Sequence, residues 1–430
     1  MRQVVNFNAN WSFSKEVASL PLEMPSGWEI VSVPHTWNNI DGMDGGNDYH
    51  RGTCYYAKTV EDLPNADLYY LEFAGANSSA DVYVNGKHLA HHDGGYSTFR
   101  VNVTEEFKKG NALVVVAVNN GINETVYPQM ADFTFYGGLY RDVNIVCVED
   151  SHFDLDYYGA PGIKVTPSKV SGDKWNVEVE VFVKNAKESQ NLVYTLYDAN
   201  GVVIESKKVS ANETKVNFDL ENTHLWHGVK DPYLYSTDVV LANDDSTVDK
   251  VSTRFGCRTF KIDPNEGFFL NDEYYPLRGV SRHQDRWEMG NALTKAEHKE
   301  DMDLIHEMGA NTIRLAHYQH DQYFYDLCDE YGMVVWAEIP YISRHMPTGR
   351  ENTISQMKEL VSQNYNHASI VVWGLSNEIS MQGSTPDLIE NHKILNDLCH
   401  SMDPTRLTTI ACVSPTPIND PYIMIPDVVS

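Results

Sequence analysis

The run Ile370-Val371-Val372-Trp373-Gly374-Leu375 constrains this chain more than any other stretch, because it offers no polar face. A strand with one face in water alternates apolar and polar residues. A strand without alternation must be covered on both sides, as in a parallel sheet flanked by helices. The run ends in Ser376-Asn377-Glu378, and polar groups at the C-terminal end of such a strand are what a parallel α/β barrel presents at its catalytic mouth.

The neighbouring sequence has the rhythm this requires. Strands are predicted at 276–282, 312–316, 334–339, 370–376 and 407–413, with a sixth opening at Val428-Val429-Ser430. Thr294 and Glu297 form a capping box, and the helix they start is predicted to end near Gly309, with Met302, Leu304, Ile305 and Met308 on its buried face. A second helix carries Tyr323, Phe324, Leu327, Cys328 and Tyr331 up to Gly332, and a third lies around 351–365. A fourth starts at Thr385-Pro386, with Leu388, Leu395, Leu398, Cys399 and Met402 at helical spacing. Alternating units of this length predict right-handed crossovers and a (β/α)8 TIM barrel over 259–430. Eight strands are needed and about six are legible, so the barrel is expected to be incomplete.

Two β domains are predicted upstream. Over 1–153, short runs such as Tyr69-Tyr70-Leu71-Glu72-Phe73 and Leu113 to Val118 are aromatic and β-branched, and Asn85-Gly86 between alternating residues marks a hairpin. Many short strands without helical periodicity suit a jelly-roll β-sandwich. Over 154–258, the alternation from Trp175 to Val183 and the turn at Asn200-Gly201 suit an immunoglobulin-like β-sandwich, without the cysteine pair of antibody domains.

Composition removes several function classes. Lys and Arg total 33 against 60 Asp and Glu, a formal charge of −27 that repels nucleic acid and anionic membranes. No apolar run is long enough to span a bilayer, and the N-terminus has no signal-like apolar segment. The six cysteines show no CxxC spacing, which argues against a zinc ribbon or a disulfide framework and predicts a reducing, cytoplasmic setting.

Four predicted strand ends carry polar groups: Arg282-His283-Gln284-Asp285, Arg314 with His317, Glu338, and Asn377-Glu378. Singly, each has a plain alternative. A lone histidine is commonly structural, and Glu338 would serve equally well to hold Arg314. Their convergence on one rim is what points to catalysis. A carboxylic acid beside an amide suits protonation of a glycosidic oxygen and a bond to a sugar hydroxyl, and Trp336 or Trp373 would offer apolar surface to a pyranose, unless they are core. Asp285, Asp301 and Glu338 have no spacing that favours a metal. No HExxH, Walker loop, GxSxG or GxGxxG occurs in a supporting context, so no metal and no cofactor is expected.

Gly279-Val280-Ser281-Arg282-His283, Asn311 to Tyr318 and Trp373-Gly374-Leu375-Ser376-Asn377-Glu378, in this three-domain order, resemble glycoside hydrolase family 2, which contains β-galactosidases, β-glucuronidases and β-mannosidases. Val33-Pro34-His35-Thr36-Trp37 and Gly138-Leu139-Tyr140-Arg141-Asp142 extend the resemblance into the first domain. It implies that Glu378 is the general acid/base, that Asn377 bonds the sugar 2-hydroxyl, that His283 and His317 touch the sugar, and that Arg314 orients the catalytic carboxylates. Asp132 matches an aspartate that the β-galactosidases extend onto galactose, so the resemblance implies a terminal β-D-galactoside as substrate. Ile342 and Arg344 stand where some members have magnesium ligands, which implies that this site is absent.

The family's reaction retains configuration and needs a second carboxylate as nucleophile. The resemblance places it beyond Ser430, and the chain alone is expected to be inactive. An open barrel leaves strand edges unpaired, so a homo-oligomer or a partner is expected. β-Glucuronidase activity and a non-catalytic carbohydrate-binding fragment are the alternatives.

Overall fold

The computed structural model describes residues 1–430 apart from 18, 42, 43, 47 and 245. The first domain packs a six-stranded antiparallel sheet on a four-stranded one. In the larger sheet Leu113–Asn119 lies between Thr53–Thr59 and Ser79–Val84. Its Val114, Val116 and Val118 point into the sandwich against Leu71, Phe73 and Ile145, while Val115 is covered on the other face by Ala57 and its neighbours. Burial on both faces explains why this strand reads as a continuous apolar run rather than an alternating one. Asn85 and Gly86 both have positive φ, 50° and 78°, as the tight hairpin turn between Ser79–Val84 and Lys87–Asp93 demands.

The second domain sets a three-stranded antiparallel sheet against a four-stranded one. Burial alternates strictly along Lys174–Val181 and Gln190–Tyr197, so Trp175, Val177, Val179 and Val181 meet Leu192, Tyr194 and Leu196 in the core. Cys257 is free, as are the other five cysteines. Arg2 ties the first two domains together, donating to Asp249 Oδ2 at 2.8 Å and to the Phe153 carbonyl at 3.0 Å.

After a small three-stranded antiparallel sheet (Phe260–Asp263, Gly267–Leu270, Glu273–Tyr274), the remaining chain forms a six-stranded parallel sheet in sequence order: β1 (Gly279–Arg282), β2 (Thr312–Leu315), β3 (Val334–Glu338), β4 (Ile370–Asn377), β5 (Leu407–Ala411) and β6 (Val428–Val429). The intervening helices are α1 (Lys295–Glu307), α2 (Gln322–Tyr331), α3 (Arg350–Asn364) and α4 (Pro386–Met402). Gly279 is required by the closeness of β1 and β2, since a Cβ there would lie 1.8 Å from the Thr312 carbonyl oxygen. The capping box forms as read: Thr294 Oγ1 accepts from Ala296 N, and Glu297 Oε2 accepts from Thr294 N at 2.8 Å. Such a cap is worth about 1 kcal/mol. Helix α2 ends at Gly332 in the left-handed conformation, φ 74°.

The face of α1 differs from the expectation. Met302, Ile305 and His298 are buried, but Leu304 and Met308 are 57% and 66% exposed. The helix turns about 100° per residue, so Leu304 stands about 200° round from Met302 and cannot share its face. Strand β1 also starts at Gly279 rather than 276.

Candidate active site

Strand β4 is buried over its whole length and leaves the sheet at Glu378, whose φ of 49° is left-handed. That conformation costs a non-glycine residue about 1–3 kcal/mol and persists only where the surroundings fix it. Here they do. Asn377 N donates to the Tyr341 carbonyl at 3.0 Å, Ser343 N to the Asn377 carbonyl at 3.0 Å, and Glu378 N to the Ala411 carbonyl at 2.8 Å. The Asn377 and Glu378 side chains thereby line a cleft of about 450 Å³, together with Arg314, His317, Ser343 and Asp132. Among the described residues the half-buried Glu378 carboxylate has no hydrogen-bond or ion-pair partner.

Beneath this pair lies a charge network. Glu338, fully buried at the end of β3, accepts from Arg314 Nε at 3.0 Å and Arg314 Nη2 at 2.9 Å, and from His317 Nδ1 at 2.8 Å. Burying a carboxylate this completely is tolerated only where both oxygens find such partners. Arg314 Nη2 also donates to Asn377 Oδ1 at 2.7 Å, so the carbonyl of that amide is engaged and its NH2 is the free end. The 3.3 Å approach of Arg314 Nη2 to His317 Nδ1 is two donors converging on one carboxylate oxygen. Trp336 is in register with Arg314, whose guanidinium lies 4.5 Å from its ring centroid.

His283 sits beside them. Burial first, and then the neighbouring His317, hold its imidazole below the ordinary histidine value, so it is neutral near pH 7. Burial keeps the Tyr318 phenol protonated, and its oxygen lies 3.1 Å from His283 Nδ1. The pair is one hydrogen bond that either group can donate, so the tautomer of His283 sets which ring nitrogen faces the cleft as a donor.

The first domain completes the mouth. Asp132 is exposed on a loop whose Phe133 ring lies 5.0 Å from that of His283 and 5.5 Å from that of Tyr318. Tyr136 OH donates to Asp285 Oδ2 at 2.9 Å. Of the predicted site residues, Asp132, Arg314, His317, Asn377 and Glu378 meet at one cleft, with His283 in ring contact with His317.

Two expectations are corrected. Arg282 is not on the rim: it is buried against the helix layer, donating to Asp301 Oδ2 at 2.9 and 2.6 Å above the Phe324 ring. It pairs in register with Leu315, a helix-facing residue, whereas Arg314 faces the other way. Trp373 offers nothing to a sugar, because it is fully buried among helix-facing residues with its Nε1 donating to Asp403 at 3.0 Å. Ile342 lines the cleft, Arg344 pairs with Glu124 at 2.8 Å, and Asp285, Asp301 and Glu338 are engaged by Tyr136, Arg282 and Arg314. The sequence assigns Phe133, Tyr318 and Ser343 no role; Tyr318 closes the Asn311 to Tyr318 run, whereas Phe133 and Ser343 are signalled only by adjacency to Asp132 and Ile342.

An unpaired carboxylate beside an oriented amide, at the C-terminal end of a parallel barrel strand and roofed by a β-sandwich, defines the glycosidase class of site. The comparisons agree. The descriptions "Glycosyl hydrolases family 2, sugar binding domain", "Glycosyl hydrolases family 2" and "Glycosyl hydrolases family 2, TIM barrel domain" match residues 4–149, 161–258 and 261–425. The chain belongs to glycosyl hydrolases family 2. It is 38% identical over 433 residues to a β-glucuronidase of Bacteroides fragilis, covering 95% of this chain and 61% of that protein. A β-galactosidase of Thermoanaerobacter pseudethanolicus is 27% identical over 95% of this chain and 55% of its own length. The crystal structure of an FMN-binding β-glucuronidase from Facaelibacterium prausnitzii L2-6 superimposes with a TM-score of 0.94 at 42% identity, over 100% of this chain and 66% of that one. The chain thus spans less than two thirds of these proteins.

Proposed function

We propose that this chain carries the acid/base half of a retaining β-glycosidase whose substrate is a β-D-glucuronide. The observation that supports the reading is the Asn377–Glu378 pair, an unpartnered carboxylate beside an amide turned outward by Arg314. Glu378 protonates the glycosidic oxygen as the bond breaks and later takes a proton from the incoming water. Asn377 donates to the 2-hydroxyl, Asp132 accepts from sugar hydroxyls, and His283 and His317 line the sugar. Retention needs a second carboxylate about 5 Å from the first across the bond. Among the described residues Asp132 is the other carboxylate that lines this cleft, and we assign it to binding, so the nucleophile is proposed to come from sequence outside residues 1–430. The glucuronide preference rests on the names of the 38% and 42% identical relatives.

A β-galactoside is the second reading, favoured by Asp132 in the cleft and by the β-galactosidase relative. We also propose a homo-oligomer in a reducing compartment, in keeping with uncovered Leu304 and Met308 and with six free cysteines. Titration calorimetry of the 430-residue chain with aryl β-D-glucuronide and aryl β-D-galactoside tests the site. Saturable glucuronide binding that Asn377→Ala abolishes is expected; tighter galactoside binding overturns the substrate, and multiple turnovers by the lone chain overturn the nucleophile assignment.

A further inference from the structure

A second cavity, of about 230 Å³, lies between the second domain and the barrel, lined by Lys169 and Trp175 on one side and Arg258, His367 and Arg406 on the other. It is at the end of the sheet opposite the cleft, because Tyr365–Ala368 precede β4 and Thr405 and Arg406 precede β5. The chain carries a formal charge of −27, yet among the described residues no Asp or Glu lines this cavity. Three of its cations are compensated from outside it: Lys169 by the exposed Asp272 at 2.9 Å, Arg406 by Asp403 at 2.8 Å, and His367 by Asp329 at 2.7 Å.

Arg258 is the exception. Its Nε and Nη2 donate to the Ala368 and Ile370 carbonyls, each at 2.6 Å, and among the described residues it has no ion pair. Burial, and then the neighbouring Arg406, push its guanidinium down to about 9. Its direct partners are neutral carbonyls, and Asp403 and Asp329 act on this part-buried cation only through space, so an anion placed beside it is favoured. A second donor is also idle. Trp175 is 2% exposed, and its indole Nε1 has no hydrogen-bond partner among the described residues. A buried N–H left unpaired calls for an acceptor. The cavity has room for one: a water takes about 30 Å³ of the liquid, so this space holds a phosphate-sized group with several waters.

We propose that this interdomain cavity is a binding site for a small oxyanion of the phosphate class, held by Arg258, Lys169 and the Trp175 indole N–H. The anion joins the second domain to the barrel floor, and the site is separate from the glycoside cleft.

The test is thermal melting of the 430-residue chain in inorganic phosphate against sodium chloride at matched ionic strength. A saturable rise of at least about 3 °C is expected with phosphate. Trp175→Phe keeps an aromatic ring, smaller than the indole it replaces, and deletes the donor, and Lys169→Gln changes a partly exposed side chain. Both are expected to fold and to weaken phosphate binding at least about fivefold, whereas Lys207→Gln, on the far sheet of the second domain, leaves it unchanged. A rise that never saturates, or that is the same in Trp175→Phe and Lys169→Gln as in the parent, is the general effect of an excluded salt and overturns the proposal. Competition between phosphate and an aryl glycoside for one site also overturns it.

Discussion

Replacing Glu338 by Gln removes one charge and no volume. The carboxylate accepts three hydrogen bonds, two from Arg314 and one from His317. The amide can accept at one oxygen only, and its NH2 must face a guanidinium N–H. Bonds to charged groups are worth about 1.5–3 kcal/mol each, and breaking a buried pair by losing one partner costs about 3–5 kcal/mol in all. At 1.36 kcal/mol per factor of ten, local protection on β4 falls by roughly two to three and a half decades. Hydrogen exchange followed by mass spectrometry over 370–378 reads this directly, without assuming that three domains unfold together. The double variant Glu338→Leu/Arg314→Met is expected to recover most of the protection, since an apolar pair leaves no orphaned charge. Exchange in Glu338→Gln within a factor of five of the parent would refute the claim that this carboxylate anchors the network.

Four further outcomes follow from the same structure. His35, His298 and His392 are each lowered to about 4 from 6.5, chiefly by burial, so the folded state holds them neutral. Their contribution is present above pH 6.5 and is lost as pH falls from 6.5 to 4, about 3 kcal/mol each, so melting temperature should drop steeply in that window and less so in His392→Gln. His367, raised by Asp329 despite its burial, acts oppositely: its contribution is full below pH 6.5 and declines as pH rises through its folded value, which Asp329→Asn should abolish in the same melts. Gly279→Ala forces a methyl against the Thr312 carbonyl and should cost about 2–4 kcal/mol by denaturant titration, whereas Gly110→Ala, with open space around it, should cost only its positive-φ strain, about 1 kcal/mol. Phe133→Ala should weaken aryl-glycoside binding about tenfold in calorimetry while lowering the melting temperature by only about 2–4 °C, because Phe133 sits at the margin of the small Tyr96, Tyr140 and Tyr318 cluster and holds the loop that carries Asp132.

Local chemistry was readable wherever a residue's role is set by its neighbours in sequence. The Thr294–Glu297 box, the Gly332 stop and the Asn85-Gly86 hairpin all rest on conformations that nearby residues dictate. Face assignment was harder. Arg282 and Arg314 both stand near strand ends, yet one faces helices and the other the cleft, and only the register between β1 and β2 separates them. A one-residue change of parity likewise separates buried Trp373 from Trp336 under Arg314. The packing of Phe133 on His283 spans 150 positions of chain and leaves no periodic trace in the sequence.

The composite mouth has a consequence for the order of events during synthesis. The sandwich that carries Phe133 and Tyr136 is finished long before Tyr318 and Asp285 leave the ribosome. At about 5–20 residues per second, the interval from Tyr136 to Tyr318 is roughly 10–40 s. For that time an aromatic loop built to meet the barrel stands in water with nothing to cover it. The interval favours a nascent chain whose first domain is already folded, presenting this loop as a ready surface onto which β1 and β2 settle as they emerge.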